Sequence, residues 1–299
     1  MKKINYFIAC AIGGLFLSSC GDKEAKSEDM EVADSAKVES TAVTPVPETF
    51  FQVPSPGEML TFIKMVGGKN NKNTTFLNSL DNQKNYNDVK AKALNFGIYS
   101  CDLSYCSIFE IGSEALKYFK VVKMLGDQVG VSTAIKPEIL KRLESNIGKA
   151  DSLAVITDDV YFSSFDALED SKQGPTLALV VAGGWIESLF IATQLSKYEA
   201  NSLAVERLAD QKYTLENLIE FLRKHEADAN VAAVKADFEG LMAEYNKLSE
   251  KDVAASKASK SSKATIIGGG KQLVMSEEVY KAVVEKVKAI RNSYTLTKL

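Results

Sequence analysis

Two acidic residues stand where acids are costly. Asp102 lies in a run of apolar and small residues, ALNFGIYSCDLSYC. Glu187 lies near the middle of GPTLALVVAGGWIESLFIATQLSKY, residues 174–198, where it is the only formal charge between Lys172 and Lys197. If both face inward they need partners, because an unpaired buried carboxylate is very unfavourable. A carboxylate pair can do acid–base work or bind a cation. Each also has a plain structural reading. Glu187 shares a stripe with Gly183 and Gln194 that could face solvent, and Asp102 could accept hydrogen bonds from Tyr or Lys. Trp185, the only tryptophan, follows Gly183-Gly184. It could floor a ligand pocket or anchor a core. Asp102, Trp185 and Glu187 are thus the candidate ligand-binding residues, and no catalytic residue is assigned.

Other chemistry is excluded by residue supply. His225 is the only histidine, so neither the paired Glu-x-x-His ligands of a di-iron bundle nor a His/Cys zinc site can be built. His225 itself falls at a helix end, in Arg223-Lys224-His225-Glu226, and reads as a surface residue. In Gly268-Gly269-Gly270-Lys271-Gln272 the lysine is followed by Gln272 instead of Ser or Thr, and the first glycine of a phosphate loop is missing. No HExxH or GxSxG string occurs. No metal and no cofactor are expected. A net charge of −3 leaves no basic footprint for nucleic acid.

Cys101 and Cys106 fall in one predicted helix, roughly 140° apart around the axis with a rise of about 7.5 Å. Cα atoms beyond about 7 Å cannot be bridged without backbone movement. Two buried thiols are expected.

The elements that must hold these side chains are helical. With 45% apolar and 25% charged residues the composition is globular. Residues 174–198 are long enough to cross a bilayer, for which about 20 apolar residues suffice. A mid-span carboxylate there costs about 2.5 kcal/mol or more, so the segment reads as the central buried helix of a bundle. Pro175 suits its first turn. Helices are predicted over 56–66, with Ser55 and Glu58 as a capping box before Gly67-Gly68, and over 87–109, 113–128, 137–147, 151–171, 202–225, 231–248 and 276–292. A break in 202–225 is expected near Tyr213-Thr214. Residues 69–87 read as an irregular loop with a short helical turn near Phe76-Leu77. Ala93, Gly97, Ser100, Ser104 and Ser107 form a stripe of small residues, and Gly183-Gly184 offers a matching patch where the two helices can cross closely.

The fold expected is all-α: a bundle of about seven to nine helices over residues 50–248. A flexible linker follows over 249–264. Residues 265–299 then form a short β-hairpin, Thr265-Ile266-Ile267 with Gln272-Leu273-Val274-Met275 around the glycines, and a last helix.

The N-terminus sets the expected location. Lys2 and Lys3 precede an apolar run over 7–17, then Leu17-Ser18-Ser19-Cys20-Gly21. This is a secretory signal pattern over 1–19. Leu-Ser-Ser-Cys also resembles a bacterial lipobox, which implies cleavage before Cys20 and its acylation (palmitate among the chains). Several acyl chains on one residue anchor stably. Residues 20–49 carry almost no large apolar side chain and read as a disordered acidic tether, spanning on the order of 100 Å when stretched.

At SPGEMLTFIK, ALNFGIYSCDLSYC and GGWIESLFIATQL the chain resembles helical envelope lipoproteins of Bacteroidota without an assigned activity. The resemblance implies a lipid-anchored protein of the cell envelope, on the outer membrane with its body on the periplasmic or surface face. The function expected is non-enzymatic binding or scaffolding of an envelope protein partner. The alternatives are a small-molecule or ion-binding module at Asp102, Trp185 and Glu187, and an enzyme.

Overall fold

A computed structural model of the chain describes residues 55–68, 71–253 and 270–296. Cys20, the signal segment and the tether lie outside them. The described residues form an all-α fold with one small sheet. In chain order the elements are α1 (Pro56–Ile63), a π-helical turn (Lys64–Gly68), a 3-10 turn (Leu80–Asn85), α2 (Val89–Ile108), α3 (Gly112–Val129), α4 (Glu138–Ser145), α5 (Ala150–Asp170), α6 (Gly174–Leu195), α7 (Leu203–Arg223), α8 (Ala229–Tyr245), β1 (Ser249–Val253), β2 (Gly270–Val274) and α9 (Glu277–Thr295).

Among the described residues, side-chain caps set four of the nine α-helix starts. Asp88 accepts from the Ala91 N–H at 2.8 Å, Ser202 from Val205, Asp228 from Asn230 and Val231, and Ser276 from Val279. Each satisfies a donor that the first turn leaves unpaired. Ser55 departs from the expected box: its side chain makes no cap bond, and only its carbonyl accepts from Glu58 N–H, at 3.1 Å. Gly130 ends α3 in the left-handed region at φ 92°, letting the Val131 N–H return to the Gly126 carbonyl at 2.9 Å. The expected break in α7 is absent. Thr214 donates its hydroxyl to Gln211 at 3.0 Å, and the helix runs through.

Two helices are enclosed along most of their length. Every residue from Leu177 to Thr193 of α6 is buried, as is every residue from Ala93 to Ile108 of α2. They pack on each other. α3 packs on α2, α7 and α8 lie on the α6 side, and α1, α5 and α9 touch both helices of the pair. α6 is long and apolar enough to cross a membrane, yet 94% of its apolar window is buried inside the fold. It is apolar because other helices surround it.

The α2–α6 crossing is a backbone contact. A Cβ on Gly97 would sit 2.0 Å from the Val180 carbonyl oxygen, and one on Gly183 would sit 2.0 Å from that of Leu94. Gly184 is roomier: its Cβ would meet Pro56 Cγ at 3.2 Å and the Gly97 carbonyl at 3.5 Å. The tight residues are therefore Gly97 and Gly183, with Gly184 turned partly toward α1. The stripe serines Ser100, Ser104 and Ser107 donate to the carbonyls of Phe96, Ser100 and Leu103 in their own helix. Their hydroxyls are thus satisfied without widening the crossing.

The sheet differs from the expected hairpin. β2 pairs antiparallel with β1, from Ser249 opposite Val274 to Val253 opposite Gly270. The first strand is thus the start of the presumed linker; Thr265-Ile266-Ile267 lie outside the described residues. The residues of β1 from Ser249 to Asp252 are all exposed, so no alternation marked it in the sequence. On β2, Leu273 is buried, as is Met275 just beyond. α9 then returns to the core against α6, α8 and α2.

Candidate functional site

The two suspect acids meet. Glu187 projects from mid-α6 and Asp102 from mid-α2, both with 0% of their surface exposed. Glu187 therefore does not face solvent. Its partner is Arg291 of α9. The guanidinium Nε donates to Oε2 at 2.8 Å and the terminal nitrogen to Oε1 at 2.9 Å, a bidentate pair. The same terminal nitrogen donates to the Phe76 carbonyl at 3.3 Å. The guanidinium carbon lies 4.6 Å from the Phe190 ring centroid, one turn beyond Glu187.

Asp102 is held differently. Its Oδ2 accepts the Asn78 backbone N–H at 3.2 Å, while Oδ1, fully buried, meets no donor. Burial first, and then the neighbouring Glu187 charge, raise its carboxyl well above the usual range; Arg291 only partly opposes this. The two facts agree. A protonated Asp102 is itself a donor, and Glu187 stands within its hydrogen-bonding reach. Raised in this way, Asp102 favours its neutral form beside the Arg291–Glu187 pair. Burial works against the Arg291 charge, but Glu187, through its charge and its hydrogen bonds, outweighs it and holds the guanidinium protonated.

A ring of polar groups closes around the three. Asn78 is its hub: its side chain donates to the Tyr86 hydroxyl and to Asn95 Oδ1, both at 3.1 Å, and accepts from Asn82 at 2.8 Å. The Tyr118 hydroxyl donates to the Asn78 carbonyl at 3.1 Å. Asn95 and Tyr86 donate in turn to the carbonyls of Tyr294 and Thr295, at 2.9 and 3.2 Å. These bonds tie the loop after Asn71, which contains the 3-10 turn, to α2, α3 and the end of α9. The loop expected to be irregular is the inner wall of the site. Burial lifts the phenol groups of Tyr99 and Tyr118 above their ordinary range, and the Asp102 carboxyl adds to this.

Trp185 takes no part. It is two residues from Glu187, roughly 200° around the helix. It packs edge-on against Phe238 of α8, centroids 5.6 Å apart, and its indole N–H has no partner among the described residues. Cys101 and Cys106 are free and buried, and burial pushes both thiols well up. His225 meets Phe221 edge-on at 5.5 Å, beside Gly174 at the start of α6. Lys271 pairs across the hairpin with Glu250 at 2.7 Å. Among the described residues no group of three or more His, Cys, Asp or Glu side chains could hold a metal ion.

Sequence reasoning missed Arg291 and Asn78. A signal existed for the first. In α9 the buried positions Val283, Val287, Ile290 and Tyr294 recur at steps of three and four, and Arg291 falls among them. A cation on an apolar stripe asks for a buried anion. Asn78 had no such mark, because its role depends on a loop path.

No family model, curated protein or solved structure matches the chain.

Proposed function

We propose that the protein is a non-enzymatic, lipid-anchored helical component of the cell envelope that binds or scaffolds an envelope protein partner. The observation that carries the non-enzymatic part is how fully the charged cluster is used internally. Both carboxylates are enclosed, Glu187 is saturated by Arg291, and the surrounding amide and phenol groups bond to one another and to backbone. Catalysis needs a reactive group within hydrogen-bond reach of a substrate, and these groups reach only the fold. The cluster acts as a clasp that fastens the inner loop and α9 to the α2–α6 pair.

The anchor rests on the signal pattern and on Leu17-Ser18-Ser19-Cys20, with Cys20 as the acylated residue and the outer membrane as the destination. Labelling with radioactive palmitate in wild type and Cys20→Ala tests it: label should be lost in the variant, and unchanged labelling would remove the anchor. Crosslinking in intact cells followed by mass spectrometry tests the partner. A reproducible envelope protein is expected, and consistent absence of one would count against scaffolding.

A further inference from the structure

Asp102 is walled in by elements of unequal strength. On α2 itself Cys101, Cys106 and Tyr99 bear on it. Tyr118 reaches it from α3, Glu187 from α6 and Arg291 from α9. α5 adds Tyr161, one residue away against Cys101. The inner loop, residues 71–88, brings Tyr86 and the Asn78 N–H. Of these groups Arg291 alone is a cation, and both its bonds to carboxylate oxygen go to Glu187.

The loop is the weakest wall. α2 and α6 beneath it are enclosed for most of their length, whereas Leu77, Asn78 and Tyr86 are the only buried residues of the loop. Three phenols and a guanidinium fasten its backbone. Tyr99 donates to the Ser79 carbonyl at 2.6 Å, Tyr105 to Asn73 at 2.8 Å, Tyr118 to Asn78 at 3.1 Å and Arg291 to Phe76 at 3.3 Å. Just past Asn78 the chain is at the surface, with Ser79 and Asp81 exposed. A segment with few buried apolar contacts opens at lower free energy than the helices it covers.

Ionising Asp102 favours that opening. The O–H bond of the carboxyl breaks, the electron pair stays on Asp102, and the proton passes to solvent. Two buried carboxylates then face one guanidinium. The Asn78 N–H favours the charge, but it meets Oδ2 only, and Oδ1 has no donor until water reaches it. Water enters where a wall yields first, and that wall is the loop.

We propose that the inner loop is a proton-controlled hatch, seated while Asp102 carries its proton and lifted when Asp102 ionises, with the α2–α6 pair left closed beneath it. The hatch stands independently of whether Cys20 is acylated or a partner binds.

Hydrogen–deuterium exchange of the full-length protein in mild detergent reads the hatch, resolved by peptide and corrected for the intrinsic rate at each pH. Once pH exceeds the folded pKa of Asp102, loop opening should become about tenfold more frequent per pH unit, the slope for release of one proton. Amides over 77–82 should then lose protection while those of α6 keep theirs. In Asp102→Asn, loop protection should be flat with pH. Equal slopes in wild type and variant would overturn the proposal. So would loop and α6 amides losing protection together, which is global unfolding. Tyr118→Phe covers the case of an Asp102 variant that fails to fold. It leaves the acid intact and removes one fastening, so opening should rise by the same factor at every pH with the one-proton slope kept. A slope lost in Tyr118→Phe would assign the titration to the phenol and sink the hatch.

Discussion

α6 is held in two opposite ways. Toward α2 it presents bare glycine backbone; toward α9 it presents a carboxylate gripped by a guanidinium. The first contact is made by removing atoms. Gly97 and Gly183 let two helices touch at their carbonyls, and nothing in that contact titrates. The second is made by adding charge to an apolar core, and it works only while partners and protons are in place. A dry crossing is sensitive to size and indifferent to pH. The clasp is sensitive to charge and more tolerant of shape.

That contrast can be broken from either end. The largest effect is expected from Glu187→Leu, which strands the Arg291 charge in the core. It should cost about 3–5 kcal/mol in urea unfolding. Most of that loss should return in Glu187→Leu/Arg291→Met, since apolar replacement of a whole buried pair is often neutral. If the double variant were as unstable as the single one, the clasp would matter through shape rather than charge.

At the crossing, Gly97→Ala or Gly183→Ala should cost about 3 kcal/mol, the upper end for overpacking, because the added methyl meets backbone that cannot rotate away. Gly184→Ala should cost about 1 kcal/mol or less, since its nearest neighbour is a proline ring carbon at 3.2 Å. Equal losses at Gly183 and Gly184 would contradict the tight, one-sided contact.

Asp102→Asn should change stability by less than about 1 kcal/mol at neutral pH, because an amide reproduces the shape and donor of a protonated acid. Its distinctive trace is in pH dependence. The folded state holds the Asp102 proton above the unfolded carboxyl's ordinary value of 3.8. The native state therefore binds more protons than the unfolded one, and this contribution to stability falls as pH rises from about 4 upward through the folded pKa. Asp158, half-buried and raised to about 6 by burial and then by Glu58, contributes with the same sign below about pH 6. Unfolding midpoints measured upward from about pH 4 should thus slope down less steeply in Asp102→Asn than in wild type. The slopes of Gly183→Ala and wild type should be parallel.

Much of this was legible before the structure. Helix positions follow from apolar periodicity and, for α9, from the cap at Ser276, whereas the cap read at Ser55 makes no side-chain bond. The crossing follows from small residues at steps of three and four. The two acids stood out because they interrupt runs that otherwise bury well. What was not legible depends on distance along the chain. Arg291 lies 104 residues from Glu187, and no local pattern names its partner. Asn78 serves through a loop whose path is set by tertiary contacts. β1 pairs through backbone alone, so its SEKDV sequence looks like linker. The tighter role of Gly183 over Gly184 is a matter of ångströms, and adjacency in sequence cannot rank them.

The clasp also orders events in time. A chain emerges from its N-terminus and its elements begin to fold in that sequence. α2 and α6 can meet through their glycines as soon as both are made, but Glu187 must wait for Arg291, 104 residues later. Until then the Glu187 carboxylate has no guanidinium to answer it. A chain interrupted anywhere before residue 291 would keep its helices and lose the lock that closes them.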